Sequence, residues 1–176
     1  MLAASPLKTR AQSMQAGVSG GLAVPTGDYG KTRIPGPLVR GTLTFGGPER
    51  RVRPRADIEV AWLLDQADDA TVGFGSSRQG TLRAVSALAS IVMGPAGAGF
   101  APYAIAGAGG QRLRVAGSRN PYGTVAGVRG GAGLRFRARR AVVHAEVTLH
   151  WALTDFGTGR DFGMATYVPA VIGISF

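Results

Sequence analysis

From residue 142 to residue 153 apolar odd positions alternate with nearly all polar even ones, Val142 and Ala152 being the exceptions. The odd positions are Val143, Ala145, Val147, Leu149, Trp151 and Leu153, while the even ones include His144, Glu146, Thr148 and His150. Successive side chains of a β-strand point to opposite faces, so a period of two predicts a strand with one apolar and one polar face. The preceding segment behaves alike: Val128, Gly130, Ala132, Leu134 and Phe136 alternate with Arg129, Gly131, Gly133, Arg135 and Arg137. Only residues 138–141 separate the two runs, which predicts a short antiparallel turn.

The same parity followed along the chain predicts eight strands. Ala16, Val18, Gly20, Leu22 and Val24 oppose Gly17, Ser19, Gly21 and Ala23, and PTGDYG at 25–30 supplies turn chemistry. Val39, Gly41, Leu43 and Phe45 oppose Leu38, Arg40, Thr42 and Thr44. Past the GGPER turn, Val52, Pro54, Ala56, Ile58, Val60, Trp62 and Leu64 oppose Arg53, Arg55, Asp57, Glu59, Ala61 and Leu63. Two segments near 81–93 and 103–115 are strand-like but rich in Ala and Gly; in the second, Ile105, Leu113 and Val115 are expected on the apolar face, with Arg112 and Arg114 opposite. The closing segment puts Val168, Ala170, Ile172, Ile174 and Phe176 on one face. Connections near 25–37, 65–80, 116–125 and 154–166 are long and the others short, so long and short ends alternate. An even strand count brings both termini to one side.

Composition agrees with strands and excludes other classes. The 28 glycines among 176 residues stand beside Ala, Val and Ile, which suits strands and tight turns rather than a helical bundle. With 45% hydrophobic and 17% charged residues the chain folds, and its length allows one domain or one closed barrel. The uncharged stretch 84–110 is no membrane helix, because Pro95, Pro102 and its glycines break helices. The absence of cysteine rules out disulfides and thiolate metal sites. Residues 1–15 carry Lys8 and Arg10 but no apolar core of a signal peptide, and are expected to be a signal remnant or a disordered segment ahead of a barrel at 16–176. A net charge of +10 raises the question of nucleic acid. Phe136 and Trp151, however, fall on faces opposite to the arginines and histidines, so no nucleic-acid partner is expected.

The polar faces gather the candidate chemistry. Arg40, Arg53, Arg55, Arg129 and Arg135 with Asp57, Glu59 and Glu146 are expected to form an ion-pair network filling the lumen, since buried charges must be paired. The alternative is a narrow anion-preferring pore lined by these arginines. His144, Glu146 and His150 share the same face and have ligand chemistry, yet they are expected to be ordinary lumen residues pairing with Arg129 and Arg135, with no metal and no cofactor. Neither histidine is followed two residues later by Ser and no GxSxG elbow occurs, so no catalytic residues are assigned and no enzyme is expected. Asp65, Asp68 and Asp69 could bind a divalent ion, but are read as solvated loop residues. The strings GAGG and GVRGGAG lack phosphate-loop spacing and are read as small residues facing a crowded interior.

Phe45, Phe136 and Phe176 fall at the short-turn ends of their strands and Trp62 and Trp151 near the opposite ends, giving two aromatic girdles. Strands of this length, an apolar outer band, a polar interior and unequal loops are the requirements of an outer-membrane barrel. Over about residues 16–176 the chain resembles the small eight-stranded outer-membrane barrels of the OmpA and OmpX type. The stretches 17–30 and 102–110 are also similar to segments common in that group. The expected fold class is therefore all-β: an eight-stranded antiparallel up-and-down transmembrane barrel with short periplasmic turns and longer extracellular loops. The resemblance implies that Val168, Ala170, Ile172, Ile174 and Phe176, with Tyr167 as a further aromatic, form a C-terminal signal for the outer-membrane assembly machinery. It implies outer-membrane lipid and lipopolysaccharide as surroundings, a structural or surface-interaction role carried by the long loops, and a monomer as the expected oligomeric state. Alternation alone does not separate inside from outside, so a soluble lipocalin-like barrel binding a small apolar ligand is the rival.

Overall fold

A computed structural model describes residues 14–27, 33–47, 49–65, 81–97, 99–115, 124–138, 141–153 and 166–176. Its elements are β1 (Met14–Thr26), β2 (Arg33–Ile34), β3 (Gly36–Phe45), β4 (Val52–Asp65), β5 (Leu82–Met93), β6 (Phe100–Val115), β7 (Thr124–Ala138), β8 (Ala141–Leu153) and β9 (Thr166–Ser175). The eight long strands each pair antiparallel with their chain neighbours, and β9 pairs with β1, so the sheet closes into an eight-stranded barrel. β2 adds only two pairs, Arg33 with Asp65 and Ile34 with Leu64, at the long-loop end of β4.

Closure is complete down to the last residue. Gly17 pairs with Ser175, the Ala16 N–H donates to the Phe176 carbonyl at 3.1 Å, and the Phe176 N–H donates to the Ala16 carbonyl at 2.9 Å. No long strand therefore presents an open edge. The chain turns left-handed just after β3, at Gly46 (φ 95°), and just before β6, at Gly99 (φ 91°), conformations that an L side chain resists.

The alternation sorts outward as the pattern requires. Val18, Leu22, Val39, Ile58, Val147 and Ile172 point out, Ile58 and Ile172 being 66% and 68% exposed. Arg40, Glu59, Glu146 and Thr148 point in and are buried. A lipocalin-like barrel would turn the apolar set inward; this one turns it outward.

The β6 facing is the reverse of the expectation. Ile105 and Leu113 are buried in the lumen, and Arg112 and Arg114 are exposed on the outer wall; the Val115 side chain lies outside the described residues. Pairing fixes this register: Ile105 sits opposite Val92 and Leu113 opposite Ala84, both inward residues of β5. The lumen also accepts apolar side chains at both ends. Toward the long loops Ala23, Leu38, Ala61, Leu63, Leu82 and Leu113 belong to one buried cluster, and toward the short turns Val92, Tyr103 and Ile105 form another. Between them lies a charged layer.

Candidate functional site

β4 carries Arg55, Asp57 and Glu59 at every second position, so one strand face projects three charges into the lumen. The neighbouring strand β3 supplies Arg40, the cross-strand partner of Glu59, and strands across the lumen supply Arg129 from β7 and Glu146 from β8. Glu146 is the hub. Its Oε1 accepts from Arg40, and its Oε2 accepts from Arg55 Nη1 at 2.6 Å and from the Tyr103 hydroxyl at 2.9 Å. Arg40 also donates through Nε to Glu59 at 2.7 Å, and Arg55 through Nε to Asp57 at 2.7 Å. Arg129 donates to Asp57 and, at 2.6 Å, to the Ser90 hydroxyl.

Around Glu59 the network continues upward. The Tyr167 hydroxyl donates to Glu59 at 2.8 Å and lies 3.4 Å from the Ser86 hydroxyl. His150 places Nδ1 3.7 Å from Glu59, with its ring 4.8 Å from that of Tyr167. Three guanidinium groups thus face three carboxylates; Arg40–Glu146, Arg55–Glu146 and Arg129–Asp57 bridge β3 and β4 to β7 and β8 across the lumen, while Arg40–Glu59 joins neighbouring strands and Arg55–Asp57 lies along β4. Desolvating such charges is costly, and the cost is offset here because each has at least one opposite charge in contact. Chemically the arrangement is a charge-balanced plug that spans the lumen.

One glycine makes room for the plug and another for His144 below it. Gly133 pairs with Glu146, and a Cβ there would run into the Tyr103 ring. Gly173 lies where a Cβ would meet His144. Within the Gly-rich strings, Gly107, Gly109, Gly131 and Gly133 are crowded by neighbouring strands as expected, whereas Gly130 has open space beside it.

All ten expected lumen residues face inward, but they divide into two groups. Arg40, Arg55, Asp57, Glu59, Arg129 and Glu146 join the plug, with His150 against it. Arg53, Arg135 and His144 instead line a void of about 40 Å³ at the short-turn mouth, where no carboxylate of the described residues pairs with them. Arg135 donates to the Pro95 carbonyl at 2.5 Å. The expected partners of Glu146, Arg129 and Arg135, are replaced by Arg40 and Arg55, because register and barrel curvature bring β3 and β4 opposite β8. Among the described residues no group of three or more His, Asp or Glu is arranged to hold a metal ion. Asp68, Asp69 and the Asp65 side chain lie outside the described residues.

Tyr103, Tyr167, Ser86 and Ser90 are network members that the sequence pattern missed. Tyr167, expected only as a further aromatic of the last strand, points inward and is buried. Its parity is opposite to that of Val168, which was the available signal. Val168, Ala170, Ile172, Ile174 and Phe176 all lie on the outer face of the last strand. Phe45, Phe136 and Phe176 are exposed at the short-turn end, joined there by Phe100. Trp62 and Trp151 sit in the long-loop half, Trp62 with the Arg83 guanidinium 5.8 Å from its ring centroid.

No protein-family model matches the chain, and no curated protein matches it. Solved structures match the fold. Neisserial surface protein A (NspA) superposes with a TM-score of 0.65 at 13% identity, covering 94% of this chain and 98% of its own. A major outer membrane protein from Thermus thermophilus gives 0.54 at 10% identity, covering 93% and 99%. The N-terminal β-barrel domain of Pseudomonas aeruginosa OprF gives 0.51 at 15% identity, covering 94% and 98%. The chain therefore has the fold of small eight-stranded outer-membrane barrels.

Proposed function

We propose that this chain is a bacterial outer-membrane β-barrel with a structural or surface-interaction role, its lumen closed by the ion-pair plug and its long connections offered as the contact surface. The observation that carries it is the partition of charge. The described outward side chains of the barrel wall are apolar over nearly their whole height, while Arg40, Arg55, Asp57, Glu59, Arg129 and Glu146 are buried inside. Water rewards the opposite arrangement; hydrocarbon rewards this one, because an arginine at the bilayer midplane costs roughly 2 to 4 kcal/mol. Closure of β9 on β1 satisfies the backbone without solvent, as a membrane requires.

The fold likeness to NspA, a surface protein, and to a Thermus outer membrane protein supports the address. By the same reading the outward residues Val168, Ala170, Ile172, Ile174 and Phe176 are the signal for the outer-membrane assembly machinery, outer-membrane lipid surrounds the wall, and the barrel acts as a monomer. Conduction is not part of the proposal, since the pairs from β3 and β4 to β7 and β8 cross the lumen. Membrane fractionation tests the address: the protein is expected in the outer-membrane fraction, with a faster-migrating unheated form on detergent gels. Recovery in the aqueous fraction, without heat-dependent mobility, would overturn it.

A further inference from the structure

Among the described outward-facing side chains of the eight long strands, only Arg83, Arg112 and Arg114 are charged. They are not scattered. Arg83 and Arg114 are direct cross-strand partners on β5 and β6, and Arg112, opposite Val85, lies on the same face roughly 7 Å from Arg114. All three sit at the long-loop ends of their strands, on the level of the Trp62 ring that packs beside the Arg83 guanidinium.

Like charges directly opposite each other destabilise a sheet, and no carboxylate of the described residues pairs with any of the three. Below them the wall is apolar: Val85, Ala87 and Ala89 on β5, Ala106 and Ala108 on β6. An anion reaching the cluster from the membrane side meets it at the height of the headgroups, with its apolar part against small side chains. Guanidinium groups match phosphate oxygens in a fork geometry, and several together hold a multiply charged headgroup. We propose that Arg83, Arg112 and Arg114 form a binding site for the phosphate groups of a membrane lipid headgroup. This rests on the membrane reading above, and it assigns to that reading a specific lipid contact.

Native mass spectrometry of the folded protein in detergent micelles tests it, with three probes: a bis-phosphorylated glucosamine lipid, its dephosphorylated analogue, and inorganic phosphate. The parent is expected to hold the phosphorylated lipid at least tenfold more tightly than the analogue. R83Q/R112Q/R114Q should lose that preference to within twofold, each single Arg→Gln variant should lose part of it, and R50Q/R51Q, at the short-turn end, should keep it. Heat-dependent mobility of the same preparations checks that each variant is folded. Undiminished preference in the triple and single variants, equal binding of the analogue, or displacement of the lipid by equimolar inorganic phosphate would overturn the proposal. Such failure in a protein that still fractionates with the outer membrane removes this site alone, whereas a protein recovered in the aqueous fraction removes the membrane reading.

Discussion

Replacing Glu146 with Gln keeps the volume of the hub and removes the one negative charge that Arg40, Arg55 and the Tyr103 hydroxyl share. Two charge-assisted hydrogen bonds, each worth roughly 1.5 to 3 kcal/mol, are weakened together. Arg40 retains Glu59 and Arg55 retains Asp57, so neither guanidinium is stranded, but three cations then face two carboxylates in a buried layer. Breaking one side of a buried pair costs about 3 to 5 kcal/mol, and the retained partners place Glu146→Gln near the lower end. Unfolding in urea from lipid vesicles, followed by Trp62 and Trp151 emission, reads the change. With a slope of about 2 kcal/mol per molar, the midpoint should fall by roughly 1.5 M. A second variant, Arg55→Met with Glu146→Gln, restores charge balance and should be less destabilised than the sum of its single changes by about 1 kcal/mol or more. A midpoint within about 0.3 M of the parent for Glu146→Gln, with strict additivity in the double variant, would refute the hub role.

Other changes probe other parts of the barrel. Gly133→Val puts a side chain where the Tyr103 ring lies and is expected to cost at least about 1 to 3 kcal/mol, seen as a lower yield of the heat-sensitive folded form. Ile58→Arg, at an outward position 66% exposed on β4, should destabilise the inserted barrel by roughly 2 to 4 kcal/mol in vesicles, while leaving secondary structure in circular dichroism intact. Deleting Phe176 removes the residue whose N–H and carbonyl both bond to Ala16, and should lower the yield of membrane-assembled protein more than the urea midpoint of whatever assembles; normal yield would count against the signal role.

How far the chain could be read in advance depended on side-chain contrast. On β4 and β8, where charges alternate with Ile, Val and Trp, parity alone sorted the side chains into one apolar and one polar face. On β6 the contrast is weak, since Ala and Gly of both parities fill its middle, and Ile105 and Leu113 are equally at home inside because the lumen has apolar ends. The arginines of β6 then follow the register of β5 rather than their own polarity. That these charges face the lumen was legible as parity, but their pairing was not. Arg40 and Glu146 are 106 positions apart, and their meeting depends on how the closed sheet sets β3 against β8. The same geometry leaves Arg53 and Arg135 below the plug, a division no local pattern carries.

Spin labels on single introduced cysteines test the central claim most directly, since the chain has no cysteine of its own. Labels at Val18, Ile58, Val147 and Ile172 report the outer face, and labels at Ser19 and Thr148 the lumen. In lipid vesicles, outer-face labels should collide with oxygen dissolved in the bilayer and be shielded from a water-soluble nickel chelate, while lumen labels meet neither. Outer-face labels freely reached by the nickel chelate, with no enhancement by oxygen, would contradict a barrel whose apolar wall faces lipid.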